Sequence, residues 1–250
     1  MKDMEATERG LSTVISTVII TTTLLVILFI AFYFSTDMLE IQVQNSEFEQ
    51  AKTAMRILDK TIADVALRPG AASSIPFNQR SGGIGLYEGE AINIMIYSDS
   101  SLNLSRTISS WVIKYRGGRM VSAAEVNLTQ PVGLIVTDAS KPLGYVRVET
   151  ENGVWVVLDY NRVRITMNEN LKVMDIYIIS LDRGTTGGTG TVTVRVQSGV
   201  PQIETRTFDS VQVKVCVKVG NQVEYYPSDS GGVFVSAVRL IIVPIVVSIM

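Results

Sequence analysis

The side chains that ordinarily carry acid–base, nucleophilic or metal chemistry are scarce in this sequence. Its 250 residues include no histidine, which removes the commonest general base and metal ligand. The single cysteine, Cys216, excludes an internal disulfide framework, and a catalytic thiol there would need a base that the chain lacks as histidine. Ser228-Asp229-Ser230-Gly231-Gly232 has the residues that flank a protease-type nucleophilic serine. With no histidine to take the serine proton, it reads as a polar turn. Gly184-Thr185-Thr186-Gly187-Gly188-Thr189-Gly190 has the glycine content of a phosphate loop, but no Lys-Ser/Thr follows it and no helix N-terminus is there to hold an anion. Glu88 and Glu90 are the nearest acid pair, and nothing marks them as hydrolytic. A net charge of −2 gives no electrostatic case for nucleic acid. The expectation is a protein that is not an enzyme and needs no catalytic residue, cofactor or metal.

The chemistry that the sequence does invite is done to the chain rather than by it. Asn103-Leu104-Ser105 and Asn127-Leu128-Thr129 are N-glycosylation acceptor patterns, with Asn103 and Asn127 as the acceptors. Near the front, Glu8-Arg9-Gly10-Leu11-Ser12 joins a short polar leader to a long apolar run. No charge falls between Arg9 and Asp37. Leu11 to Thr36 is 26 residues, about 39 Å as a helix, against a hydrocarbon core of about 30 Å. The polar groups inside the run are mostly hydroxyls (Ser12, Thr13, Ser16, Thr17, Thr21, Thr22, Thr23), which bond their own i−4 carbonyls and so tolerate apolar surroundings. Lys2 and Arg9 precede the run, whereas Asp37 and Glu40 follow it, which orients the N-terminus to the cytoplasm and the remainder outside. A cleaved secretory signal would need a shorter apolar region and a small-x-small site, and Tyr33-Phe34-Ser35-Thr36-Asp37-Met38 offers none.

This leader resembles the class III signal of type IV pilins and their archaeal relatives, the archaellin-like proteins included, over roughly the first quarter of the chain. The resemblance implies cleavage by a prepilin peptidase between Gly10 and Leu11, with Arg9 before the cut. It also implies partners in an assembly ATPase and its membrane platform, and a homo-oligomeric filament made through the N-terminal helices. Bacterial pilins usually carry Glu at the fifth mature position. Here that position is Ile15, as is common in archaeal members, so a contact from that Glu to a neighbour's amine does not carry over.

Beyond the span, Phe48, Ala51, Met55, Leu58, Ile62 and Val65 recur every three or four residues, with Glu49, Lys52, Arg56, Asp59, Lys60 and Asp64 between them. That is an amphipathic helix with one apolar seam, stopped by Arg68-Pro69-Gly70. From Ala71 the pattern alternates with turn residues, as strands do. Gly117-Gly118, Asn152-Gly153 and Gly220-Asn221 are hairpin candidates. Cys216 falls on the lysine-bearing side of the Val211 to Val219 strand. Leu240 to Met250 is almost wholly apolar and β-branched, which favours a strand buried on both faces over a second membrane segment or an inter-subunit strand. Pro244 predicts an edge or a bulge there.

The expected architecture is α+β, a long N-terminal hydrophobic helix followed by an all-β sandwich. Its parts are a leader (1–10), a transmembrane or filament-core helix (11–36), an amphipathic stalk (37–68) and a β ectodomain (71–250). The expected function is a structural subunit of an archaeal type IV pilus-like surface filament, with the β domain outside for adhesion. A minor pilin or pseudopilin, and an uncleaved signal-anchored binding module, are the alternatives.

Overall fold

A computed structural model describes residues 2–98, 101–188, 190–228 and 231–250, with side chains from residue 15 onward. The order is one helix followed by strands. Helix α1 is Lys2–Ala66. The strands are β1 (Ala72–Gln79), β2 (Gly83–Glu88), β3 (Ile92–Ser98), β4 (Ser101–Ile108), β5 (Trp111–Arg116), β6 (Val126–Asn127), β7 (Ile135–Val136) and β8 (Tyr145–Glu149). They continue with β9 (Trp155–Asp159), β10 (Val163–Asn168), β11 (Val173–Thr186), β12 (Gly190–Ser198), β13 (Gln202–Val219), β14 (Gln222–Tyr226) and β15 (Val233–Ile249). The chain forms two compact units, residues 1–44 and 45–250.

In the first unit, the described part of α1 exposes apolar side chains all the way round: Leu28, Phe29, Phe32 and Phe34 are each about two-thirds exposed. Thr21, Thr22 and Thr23 turn their hydroxyls back onto the carbonyls of Thr17, Val18 and Ile19 at 2.7, 2.8 and 2.8 Å. These three hydroxyls are thereby met within their own helix, as an apolar solvent demands. The helix is long and apolar enough to cross a membrane.

The second unit joins the last third of α1 to two sheets. One runs β4-β3-β13-β15-β11-β10-β7, with β12 beside β15, β1 beside β12 and β14 beside β13; the other runs β2-β5-β9-β8-β6. Most pairs are antiparallel, but β11 and β15 run parallel over Val173 to Arg183. The stalk seam lies in the first core, against Tyr115, Val146, Val156 and Leu158 of the smaller sheet and Phe77, Val194, Ile245 and Val247 of the larger. A second core fills the space between β3, β4, β10 and the paired β13, β15 and β11.

Strand β15 feeds both cores. Val243, Ile245, Val247 and Ile249 enter the first, while Val238 and Leu240 enter the second. Burial on both faces therefore holds only around the middle of the strand, since Val246 is 40% exposed. The expectation of an edge at Pro244 gives way to a central position with a change of neighbour: Ile245 pairs with Ser198 of β12 and Ile242 with Gln202 of β13. Pro244 sits where one partner hands over to the other, so its missing N–H leaves no ladder bond broken, and its carbonyl accepts from Gly199 N at 2.8 Å.

Two of the three hairpin candidates form hairpins. Gly220-Asn221 links Val219 and Gln222 directly. Asn152 and Gly153 both adopt positive φ, but the ladder closes at Glu149 and Trp155, which makes that loop five residues rather than two. At Gly117-Gly118 no hairpin forms, because β5 pairs with β2 and β9 instead. A Cβ on Gly117 would lie 3.0 Å from the Phe48 ring, so this glycine serves the close approach of helix to sheet.

Candidate functional site

The sequence draws attention to α1, and the two units hold different parts of it. Arg9, Gly10 and Leu11, the expected processing site, fall on the α1 backbone with side chains outside the described residues. Ile15, the fifth residue after the expected processing site, is 55% exposed, and exposed apolar residues continue to Phe34. In the second unit, all six seam residues are buried: Phe48 at 1%, Ala51 at 4%, Met55, Leu58 and Ile62 at 0%, and Val65 at 5% exposure. Each of the larger ones contributes about 1.5–3 kcal/mol by removing its surface from water. Within this unit the seam is therefore occupied by the chain's own β domain.

Two carboxylates on the same side of α1 were not legible as part of that seam. Glu47, four residues before Ala51, is 5% exposed. It accepts hydrogen bonds from the Ser81 hydroxyl, the Ser81 backbone N–H at 3.1 Å and the Tyr115 hydroxyl at 2.8 Å. Burial acts to raise its pKa, but these bonds and one from Gly82 N–H outweigh it and hold the carboxyl below its ordinary value. The same contact, together with burial, pushes the Tyr115 phenol well up.

Asp59 corrects an expectation. Its place among the polar residues of the stalk predicts a solvated side chain, yet it is 6% exposed. It is four residues beyond Met55 and three before Ile62, so the buried face of the helix is wider than one line of residues. The Tyr160 hydroxyl donates to Asp59 Oδ1 at 2.7 Å, and Gly144 N–H donates to the same carboxylate. A Cβ on Gly144 would lie 1.9 Å from that oxygen, so only glycine lets the strand come so close. Burial raises the Asp59 pKa, against the pull of Tyr160 and the Arg162 charge.

Among the described residues Arg162 is the largest fully buried side chain, although a charged residue beside Val163 on a strand would ordinarily face solvent. Its Nε donates to the Gly133 carbonyl at 2.8 Å, its guanidinium also reaches the Pro131 carbonyl, and it lies over the Tyr145 ring. It stitches the irregular chain before β8 onto the domain. Tyr, Arg and Asp buried together leave no periodic signal in sequence, which is why this cluster escapes pattern reading.

The remaining candidates are dispersed. Cys216 is buried at 2% exposure, although it shares a strand side with two lysines. Glu90 lines a 450 Å³ cavity with Arg147, Asp159 and Arg162, and Glu88 is not in that lining. The glycine-rich stretch belongs partly to β11 and leads into β12, with Thr189 outside the described residues. In the Ser228 to Gly232 stretch, Asp229 and Ser230 lie outside them too. Asn103 is exposed on β4, at a bulge between the pairs Leu102↔Tyr97 and Leu104↔Ile96. Asn127 is exposed on β6, but Thr129 of its acceptor triplet is buried, and its hydroxyl accepts from Val146 N at 3.1 Å.

Comparison with protein-family models, with curated proteins and with solved structures finds no match for this chain. The layout of a long apolar N-terminal helix and a β-rich domain is compatible with that of a pilin.

Proposed function

We propose that the chain is the precursor of a type IV pilin-like subunit of the archaeal kind. A prepilin peptidase releases it after Gly10, and an assembly ATPase with its membrane platform moves it from the bilayer into a surface filament. The observation that carries this reading is the contrast along α1. Its residues from 15 to 36 are uncharged, mostly apolar and exposed on every side, whereas the seam from Phe48 to Val65 is already covered. An exposed apolar cylinder needs lipid or other apolar helices around it. Burial of that surface against other copies drives assembly, and the β domain is left on the outside for surface contact. Before assembly the chain is a single-pass membrane protein with its N-terminus in the cytoplasm.

The test is Gly10→Leu in the native host. Blocked processing retains the variant at full precursor length in the membrane and abolishes its filaments. Filaments of normal yield built from unprocessed Gly10→Leu chains would contradict the proposal.

A further inference from the structure

The second unit carries an open groove of 620 Å³ beside the last turns of α1, lined by that helix, the chain from Leu128 to Leu143, and Tyr177 and Ile179 of β11. Its floor is apolar, with Leu128, Leu143 and Tyr177, and Leu67 stands at its wall 71% exposed. Basic side chains surround it: Arg56, Lys60, Lys141 and Arg164 against Asp59 and Asp64. Asp59 is already engaged by Tyr160. Arg164 donates through Nη2 to the Lys141 carbonyl at 2.6 Å, and its Nε is shielded from solvent without a partner. A buried guanidinium N–H left unmet costs free energy that an incoming acceptor would recover.

We infer that this groove receives the Phe34 to Ile41 stretch of α1 from a second copy of the chain, a contact that rests on the filament reading above. That stretch is the chemical counterpart of the groove. Phe34, Met38, Leu39 and Ile41 are 67%, 63%, 58% and 41% exposed and supply the apolar side. Asp37 and Glu40 stand three residues apart, hence on one face, and supply two carboxylates to the basic rim. At this end of the apolar run Asp37 and Glu40 have no basic residue beside them before Lys52, so an apolar helix segment bearing carboxylates is available where the groove asks for one.

Two differently tagged full-length chains, one Glu40→Cys and one Lys141→Cys, are co-expressed in the native host and treated with a short bis-maleimide. Cys216 is buried, and single-variant cells give the background. A mixed-tag dimer at least tenfold above background supports the contact. Adding Lys60→Glu to the Lys141→Cys chain, both positions being exposed, lowers it severalfold, and Asp37→Lys in the other chain restores it. An Ile20→Cys pair, which reports helix packing alone, separates the failures. Dimers through Ile20→Cys with none through Glu40→Cys and Lys141→Cys overturn the groove contact and leave the filament reading standing. Absence of both overturns both. A lipid chain occupying the groove would also give no mixed-tag dimer.

Discussion

Glu47 and Asp59 sit twelve residues apart on one helix and respond to acid in opposite directions. Glu47 has its folded pKa lowered, so its contribution is present above the ordinary value of 4.5 and is lost as pH falls through the folded value. Asp59 has its pKa raised, so its penalty is absent below the ordinary 3.8 and grows as pH rises through the folded value. Glu47→Gln is therefore expected to flatten the loss of stability below pH 4.5, measured as denaturation midpoints against pH. Steeper acid loss in the variant would contradict the assigned role of these hydrogen bonds. The acceptor asparagines divide in the same local way. If oligosaccharide is attached to the folded domain, Asn103 carries it, because Ser105 is exposed while Thr129 is committed to Val146. Asn103→Gln then removes the excess mass, and Asn127→Gln leaves it unchanged. A mass drop confined to Asn127→Gln would reverse that assignment.

At the scale of elements, the two stretches of α1 make separable predictions. Leu58→Ala deletes fully buried methyl groups from the first core and is expected to destabilise the second unit by about 2–5 kcal/mol, read as Trp fluorescence during denaturation. Ile27→Arg, in the apolar run, leaves that unit intact but places a cation at mid-span, at a cost of about 2.5–3.5 kcal/mol on insertion scales. The variant is expected to shift from the carbonate-resistant membrane fraction to the soluble fraction, with an unchanged denaturation midpoint. Loss of the midpoint would show that residue 27 supports the β domain.

These elements also show what pattern reading can reach. The 26-residue uncharged run and the three-four spacing from Phe48 to Val65 are set by local periodicity, and both appear in the structure where the residues place them. The β character of the rest follows from alternation in the same way. The neighbours of each strand do not. The parallel pairing of β11 with β15, and the switch of partner at Pro244, depend on contacts forty or more residues distant. Gly117 looked like a turn because turns and close approaches ask the same residue for different reasons. Asp59, Tyr160 and Arg162 look solvent-facing because polar residues usually are, and only the fold supplies the partners that let them be buried.

In the whole molecule a β domain covers the helix seam from Phe48 to Val65, while the described apolar side chains from Ile15 to Phe34 stand exposed. Under the proposed filament reading, lipid meets that surface first and other copies meet it later, and removal of the polar leader is the step that commits the chain to assembly. The most direct measurement is the N-terminal sequence of the chain recovered from sheared surface material of the native host. The account predicts a chain that starts at Leu11 and occurs in filaments. A chain that starts at Met1, held in the membrane and in no filament, would contradict it.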